Sequence, residues 1–124
     1  MVPSSLDSYS RAVAADVFAG VAVTDYSTAL AWYERLLGKA AFFPTETEAV
    51  WQLTDHGWLF IVQRPEHAGH AIPTVFVENL DGLVAQIAAR GIEAARTERY
   101  ASGARKVIYC DPDGNEIGFG GSSE

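Results

Sequence analysis

An α+β fold of two βαβββ modules, with a curved mixed sheet around a cleft, is predicted by three features of the 124-residue sequence. The first is a hairpin near the end of the chain. Lys106 to Cys110 and Glu116 to Phe119 flank Asp111-Pro112-Asp113-Gly114-Asn115. There Pro112 presets a turn φ, and Asp-Gly-Asn tolerates positive φ. The second is a pair of helical spacings: Leu30, Tyr33 and Leu37 in one stretch, and Leu83, Val84, Ile87 and Ala88 in another. The third is an internal repeat. Val21-Ala22-Val23-Thr24-Asp25, a helix and Gly38 match Val75-Phe76-Val77-Glu78-Asn79, a helix and Gly91. Two four-stranded sheets, each with a helix on one face, leave two opposite faces to curve round a shared cleft. The cleft is the expected site.

Residues 1–15 hold Pro3, four serines and little periodicity, and read as an N-terminal arm lying against the body or a neighbouring subunit. The remainder, 16–124, reads as one domain: module one at 16–63, a linker at 64–71 and module two at 72–120. Asp16 to Thr24, rich in Val and small residues, is a strand. Asp25 or Ser27 caps a helix that runs through Leu37 and stops at Gly38. Strands follow at Ala40 to Pro44, Glu48 to Leu53 and Trp58 to Gln63, with Asp55-His56-Gly57 as the last turn. Arg64 to Ala71 carries a proline, a glycine and two of the three histidines, so His67 and His70 are placed in a polar loop. Module two repeats the plan. Ile72 to Glu78 is a strand, Asn79 or Asp81 caps a helix ended by Gly91, and Ile92 to Thr97 and Arg105 to Cys110 lead into the closing hairpin.

Composition narrows the function classes. The 48% hydrophobic content is enough for a core without staples. No apolar run approaches the roughly 20 residues of a membrane span, and no basic-then-apolar leader opens the chain. The expectation is a soluble, cytoplasmic protein with no membrane partner. One cysteine, Cys110, excludes an internal disulfide framework, and it reads as a buried, inert thiol. Nine basic against sixteen acidic residues, net charge -7, argue against nucleic acid and favour a neutral or cationic partner. Asp111 to Asn115 is a turn rather than a calcium loop, because Ser122 stands where an EF-hand needs its last acidic ligand.

Three segments resemble the vicinal-oxygen-chelate superfamily of glyoxalase I, extradiol dioxygenases and fosfomycin- and bleomycin-resistance proteins. They are Val23-Thr24-Asp25 leading into Ala31 to Gly38, the second Val77-Glu78-Asn79, and Asp111 to Asn115. The resemblance spans Asp16 to Phe119 and implies one glyoxalase/bleomycin-resistance-type domain, a homodimer as is common in that superfamily. It also implies where metal-dependent members keep four His, Gln or Glu ligands. The first lies seven residues before the helix-opening Asp, at Phe18, and the same offset from Asn79 gives Ile72. The third residue after Asp111 to Asn115 is Gly118, and matching Gly57 to Gly114 gives Ile61. None offers a lone pair to a cation.

The expected function is therefore metal-free binding of a small aromatic or cationic organic molecule, similar to drug-sequestering bleomycin-resistance proteins, with no catalytic residue, no metal and no cofactor. Phe18, Ile61, Ile72, Phe76 and Gly118 would form the floor, with Trp51 and Tyr100 as stacking walls. Gly20, Gly118 and Gly120 would leave room, and Glu116 would orient a basic group. Two alternatives stand beside it. One is a metal-dependent lyase, isomerase or dioxygenase using Asp16, His70 and Glu116 as displaced ligands, two positions before Phe18, Ile72 and Gly118. The other is a structural module whose cleft is filled by its own side chains.

Overall fold

Each half of the chain lays down one strand, crosses over through a helix and returns to pair in parallel with that first strand. The computed structural model describes residues 15–122, so the expected arm lies outside the described residues but for Ala15. The first half contains β1 (Val17–Val23), α1 (Tyr26–Leu37), β2 (Glu48–Thr54) and β3 (Gly57–Gln63). After a single 3-10 turn at Pro65–His67 come β4 (Thr74–Phe76), α2 (Leu80–Ala89), β5 (Arg96–Arg99), β6 (Ala104–Cys110) and β7 (Glu116–Ser122). The sheets are ordered β1-β3-β2 and β4-β7-β6-β5. β1 runs parallel to β3 and β4 to β7, and the other pairs are antiparallel.

Three expected strands are shorter than the residue patterns suggest. Ala40 to Pro44 reduces to one bridge, Phe42 to Val50, so the first sheet has three strands rather than four. Pro44 has no N–H to continue the ladder. Ile72 to Glu78 keeps only Thr74–Phe76 as regular strand, although Ala71, Pro73 and Val77 still bond β7 through Glu116 N, Gly118 N and Gly120 O. Ile92 to Thr97 begins pairing only at Ala95, because Ile92 is drawn into the helix core and is 7% exposed.

The helices start and stop where their caps demand. Asp25 precedes α1 but gives its carboxylate to the Thr28 and Ser27 hydroxyls, which hold it below the usual carboxylate range. The orphan N–H of Tyr26 is taken by Gln63 Oε1 at 2.8 Å. Gly38 ends α1 at φ 88°, in a region open to glycine, and donates to Glu34 O. Asn79 caps α2 by accepting from Gly82 N at 3.0 Å.

Both helices pack onto one core. Val21, Val23, Ala49, Trp51, Leu59 and Ile61 meet Tyr33 and Leu36 of α1, and the same cluster continues through Ile87, Tyr109, Ile117 and Phe119. The turn at Asp111 to Asn115 clamps the two halves. Asp111, 5% exposed, accepts from the Tyr33 hydroxyl at 2.8 Å and from Asn115 Nδ2, Asn115 N and Asp113 N, each at 2.9 Å. Asn115 is fully enclosed. It donates to Ala22 O and accepts from Gly69 N and Ala71 N. Asp113 takes the N–H of Thr24 at 3.0 Å.

Candidate functional site

Strand parity decides which side chains leave the core. In the first sheet the rows Phe18–Trp58–Gln52 and Gly20–Phe60–Val50 lie on the face away from α1, while Val21–Ile61–Ala49 lies beneath the helix. Phe18 stacks on Trp58 with ring centroids 5.6 Å apart and planes 9° apart, and Phe42 meets Trp58 edge-on at 6.0 Å. The result is a half-exposed aromatic platform. Asp16 Oδ1 accepts a long hydrogen bond from the Trp58 indole N–H at 3.4 Å and lies 3.3 Å from His56 Nδ1.

In the second sheet the corresponding face carries Thr74, Phe76, Glu116, Gly118, Lys106, Arg96 and Glu98. Here charges are paired. Arg96 bonds Glu116 at 2.9 Å and Glu98 at 3.3 Å, and Lys106 stands 3.9 Å from Glu98. The Tyr100 hydroxyl donates to Glu98 at 2.9 Å and, ahead of Arg96 and Lys106, holds that carboxyl below its ordinary range. Between the edge strands β1 and β4 runs a trough of about 360 Å³, lined by Val17, Ala19, Leu53, Trp58, Val75 and Phe76 among others.

The expected site residues divide. Phe18, Ile72 and Phe76 are open, at 50%, 75% and 73% exposure. Trp51 is not a cleft wall: it is buried beneath α1, packs against Tyr33 and donates from Nε1 to Gly38 O at 2.8 Å. Ile61 is fully buried in the same core. The match of Gly57 to Gly114 fails because Gly57 is already a strand residue paired with Val17, whereas Gly114 sits in a turn at φ 94° before β7 begins. An offset counted from them lands on opposite faces. Tyr100 joins the charged network rather than the aromatic platform, and Glu116 is neutralised by Arg96.

The glycines leave less room than expected. A Cβ on Gly20 would stand 2.6 Å from Phe60 Cζ, and one on Gly118 would stand 3.0 Å from Lys106 Cδ. One on Gly120 would stand 3.3 Å from Phe76 Cδ1. These glycines let neighbouring side chains lie flat on the strands. Cys110 is exposed, not buried, because Tyr109 takes the core-facing place.

Three of the positions matched to the superfamily's metal ligands do not fit a cation, since Phe18, Ile72 and Gly118 carry no donor side chain, and Ile61, whose match fails, faces the core. The displaced set is not assembled either, since Asp16 lies against His56 and Glu116 against Arg96. Among the described residues no three His, Cys, Asp or Glu side chains come together to hold an ion. Trp58 and Phe42 form the platform, but their facing was not legible in the sequence. The parallel register of β1 on β3 sets it, and that register has no local signature.

A strand, a crossover helix and a parallel return, repeated once around a central trough, define a two-module α+β class. The chain belongs to the Glyoxalase/Bleomycin resistance protein/Dioxygenase superfamily, whose model matches residues 14–119. It is similar to the crystal structure of a glyoxalase/bleomycin resistance protein from Catenulispora acidiphila DSM 44928. The two are 58% identical, with a TM-score of 0.82, over 86% of this chain and 96% of that one. The fold also matches a lactoylglutathione lyase from Agrobacterium tumefaciens at 15% identity and TM-score 0.69, covering 85% and 91% of the two chains. A bleomycin-binding protein in complex with bleomycin matches at 19% identity and TM-score 0.68, covering 86% and 98%. No curated protein matches the sequence.

Proposed function

We propose that the chain is a metal-free binder of a small, flat, aromatic or cationic organic molecule. Its two modules, 16–63 and 72–120 joined by the linker 64–71, hold that molecule between them. It works as a cytoplasmic homodimer. The observation that carries this reading is the apolar trough between β1 and β4, with Trp58 on one side and Phe76 on the other. Its size suits a compact ring system, and an apolar hollow with few polar groups is how proteins hold such ligands. Phe18 and Phe42 hold the Trp58 ring from two directions, so the wall is formed before a ligand arrives. Thr74 and Val75 complete the second-sheet side, with the expected floor residues Ile72 and Gly118 next to them, beyond the lining. The unsuited residues at the metal positions support a site that works without an ion. The bleomycin complex of a protein with this fold supports the ligand class.

The test is thermal unfolding of the purified protein against aromatic compounds and divalent metals, with and without chelator. A ligand that binds only the folded state raises the midpoint, by about 2.7 kcal/mol of added stability at a hundred times its Kd. The expected outcome is a shift with an aromatic compound that persists in chelator and shrinks in Trp58→Ala and Phe76→Ala. A shift with Mn, Zn, Ni or Fe alone, lost in His70→Ala, overturns the reading in favour of a displaced-ligand enzyme.

A further inference from the structure

The geometry points to Asp16 as the residue that selects cationic ligands, and so to a flat aromatic cation as the preferred occupant of the trough. This rests on the binding reading above and adds the sign of the ligand's charge and the residue that reads it. Glu116, the expected handle for a basic group, is already bonded to Arg96 at 2.9 Å. Glu98 is shared by Arg96, Lys106 and Tyr100. A ligand cation would have to displace a guanidinium to reach either. Asp16 stands differently. Among the described residues its ion-pair partner is neither an arginine nor a lysine but His56, whose side chain is 79% exposed.

Position completes the argument. The Asp16 carboxylate lies at the N–H edge of the Trp58 indole, and Trp58 lines the trough. Phe18, two residues along the same strand, stacks on that indole. A ring lying against Trp58 with its positive nitrogen toward this edge meets aromatic faces and a carboxylate together, and both attract a cation. A neutral ring of the same shape meets only the aromatic faces. Among the described residues Asp16 thus stands against the Trp58 wall with no arginine or lysine on its carboxylate. Glu48, on the same face of the first sheet, pairs with Val62, at the opposite end of β3 from Trp58.

The experiment compares N-methylacridinium with acridine in mildly alkaline buffer. Binding to the full chain is followed by probe fluorescence. Asp16→Asn is the informative variant, because the amide oxygen still accepts from Trp58 Nε1 while the charge is gone. Glu116→Gln serves as the comparison. The expected result is that wild type binds the cation about tenfold more tightly than acridine, a factor worth 1.4 kcal/mol. Asp16→Asn should erase that preference and leave acridine binding unchanged, Glu116→Gln should leave the preference in place, and salt should weaken only the cation. Equal binding of both probes by wild type, or a preference that survives Asp16→Asn, overturns the role of Asp16 and leaves the binder intact. If neither probe binds wild type, the trough is not a site for flat aromatic molecules, and this inference falls with that reading.

Discussion

Asn115 shows how much one side chain carries in this protein. With no exposure, it satisfies both lone-pair directions and both amide hydrogens, joining the 64–71 loop, β1 and Asp111. Tyr33 completes the cluster from α1. Its burial, followed by the adjacent Asp111 charge, pushes the phenol well above its ordinary value of 10.0, so it remains a donor. Two outcomes follow at this scale. Tyr33→Phe removes one donor from a buried carboxylate and should cost about 1.5–3 kcal/mol in urea unfolding near neutral pH. The same group makes stability fall in alkali. Above pH 10 the unfolded chain releases the phenolic proton while the folded protein keeps it, so unfolding becomes easier as pH rises. Tyr33 contributes up to about 1.4 kcal/mol per pH unit to that slope, and the slope in Tyr33→Phe should be smaller by that amount. Parallel alkaline curves for the two proteins would show that the Tyr33 hydroxyl is not buried against Asp111.

At the scale of elements, the point where the two helices meet is held by Arg90. This residue follows α2 and reaches the end of α1, donating to the carbonyls of Arg35 and Leu36. Gly38 N takes Glu34 O, and Trp51 Nε1 takes Gly38 O, so the last carbonyls of α1 find partners from three directions. A cation there also opposes the helix dipole. Arg90→Ala should therefore lower stability by about 1–3 kcal/mol. Arg90→Lys should recover only part of it, since an ammonium lacks the planar fork that spans two carbonyls. Full recovery by lysine would mean that charge alone is what α1 requires. The helices were legible in the sequence for the same reason that they are stable: Asp25, Asn79, Gly38 and Gly91 mark their ends, and spacing marks their buried sides. Strand edges were less legible: Pro44 cannot continue the ladder in its run, and Ile92 turns into the core within a run whose residues otherwise suit a sheet. The site was half legible. Phe18, Ile72 and Phe76 open to solvent as parity within one strand implies. Trp51, Ile61 and Trp58 depended on the register between strands, and no local pattern encodes it.

For the whole molecule, the question is what covers the apolar side chains that the chain leaves open. Val17, Phe43, Ile72 and Phe76 are 65%, 55%, 75% and 73% exposed, and all lie on or beside the edge strands or the cleft faces. Scattered apolar residues need no explanation, but Val17, Ile72 and Phe76 fall together on or beside the edge strands β1 and β4, whereas Phe43 lies beside β2 at the far edge of its sheet. Such a grouping of the first three along one rim marks an interaction surface. A second copy would cover such a rim with the same residues under twofold symmetry, and it would deepen the trough without altering the Trp58 wall. Light scattering behind a sizing column should then report about twice the 13.4 kDa chain mass. Ile72→Glu should shift the population toward the single chain, because it places a charge in the rim while touching no core residue. Stability would respond as well. In a linked dimer the unfolding midpoint rises with protein concentration, and this dependence should vanish in Ile72→Glu. A wild-type mass of one chain at every concentration, with a midpoint independent of dilution, would leave the rim to the ligand alone. The trough would then have to reach its affinity from the residues of a single chain.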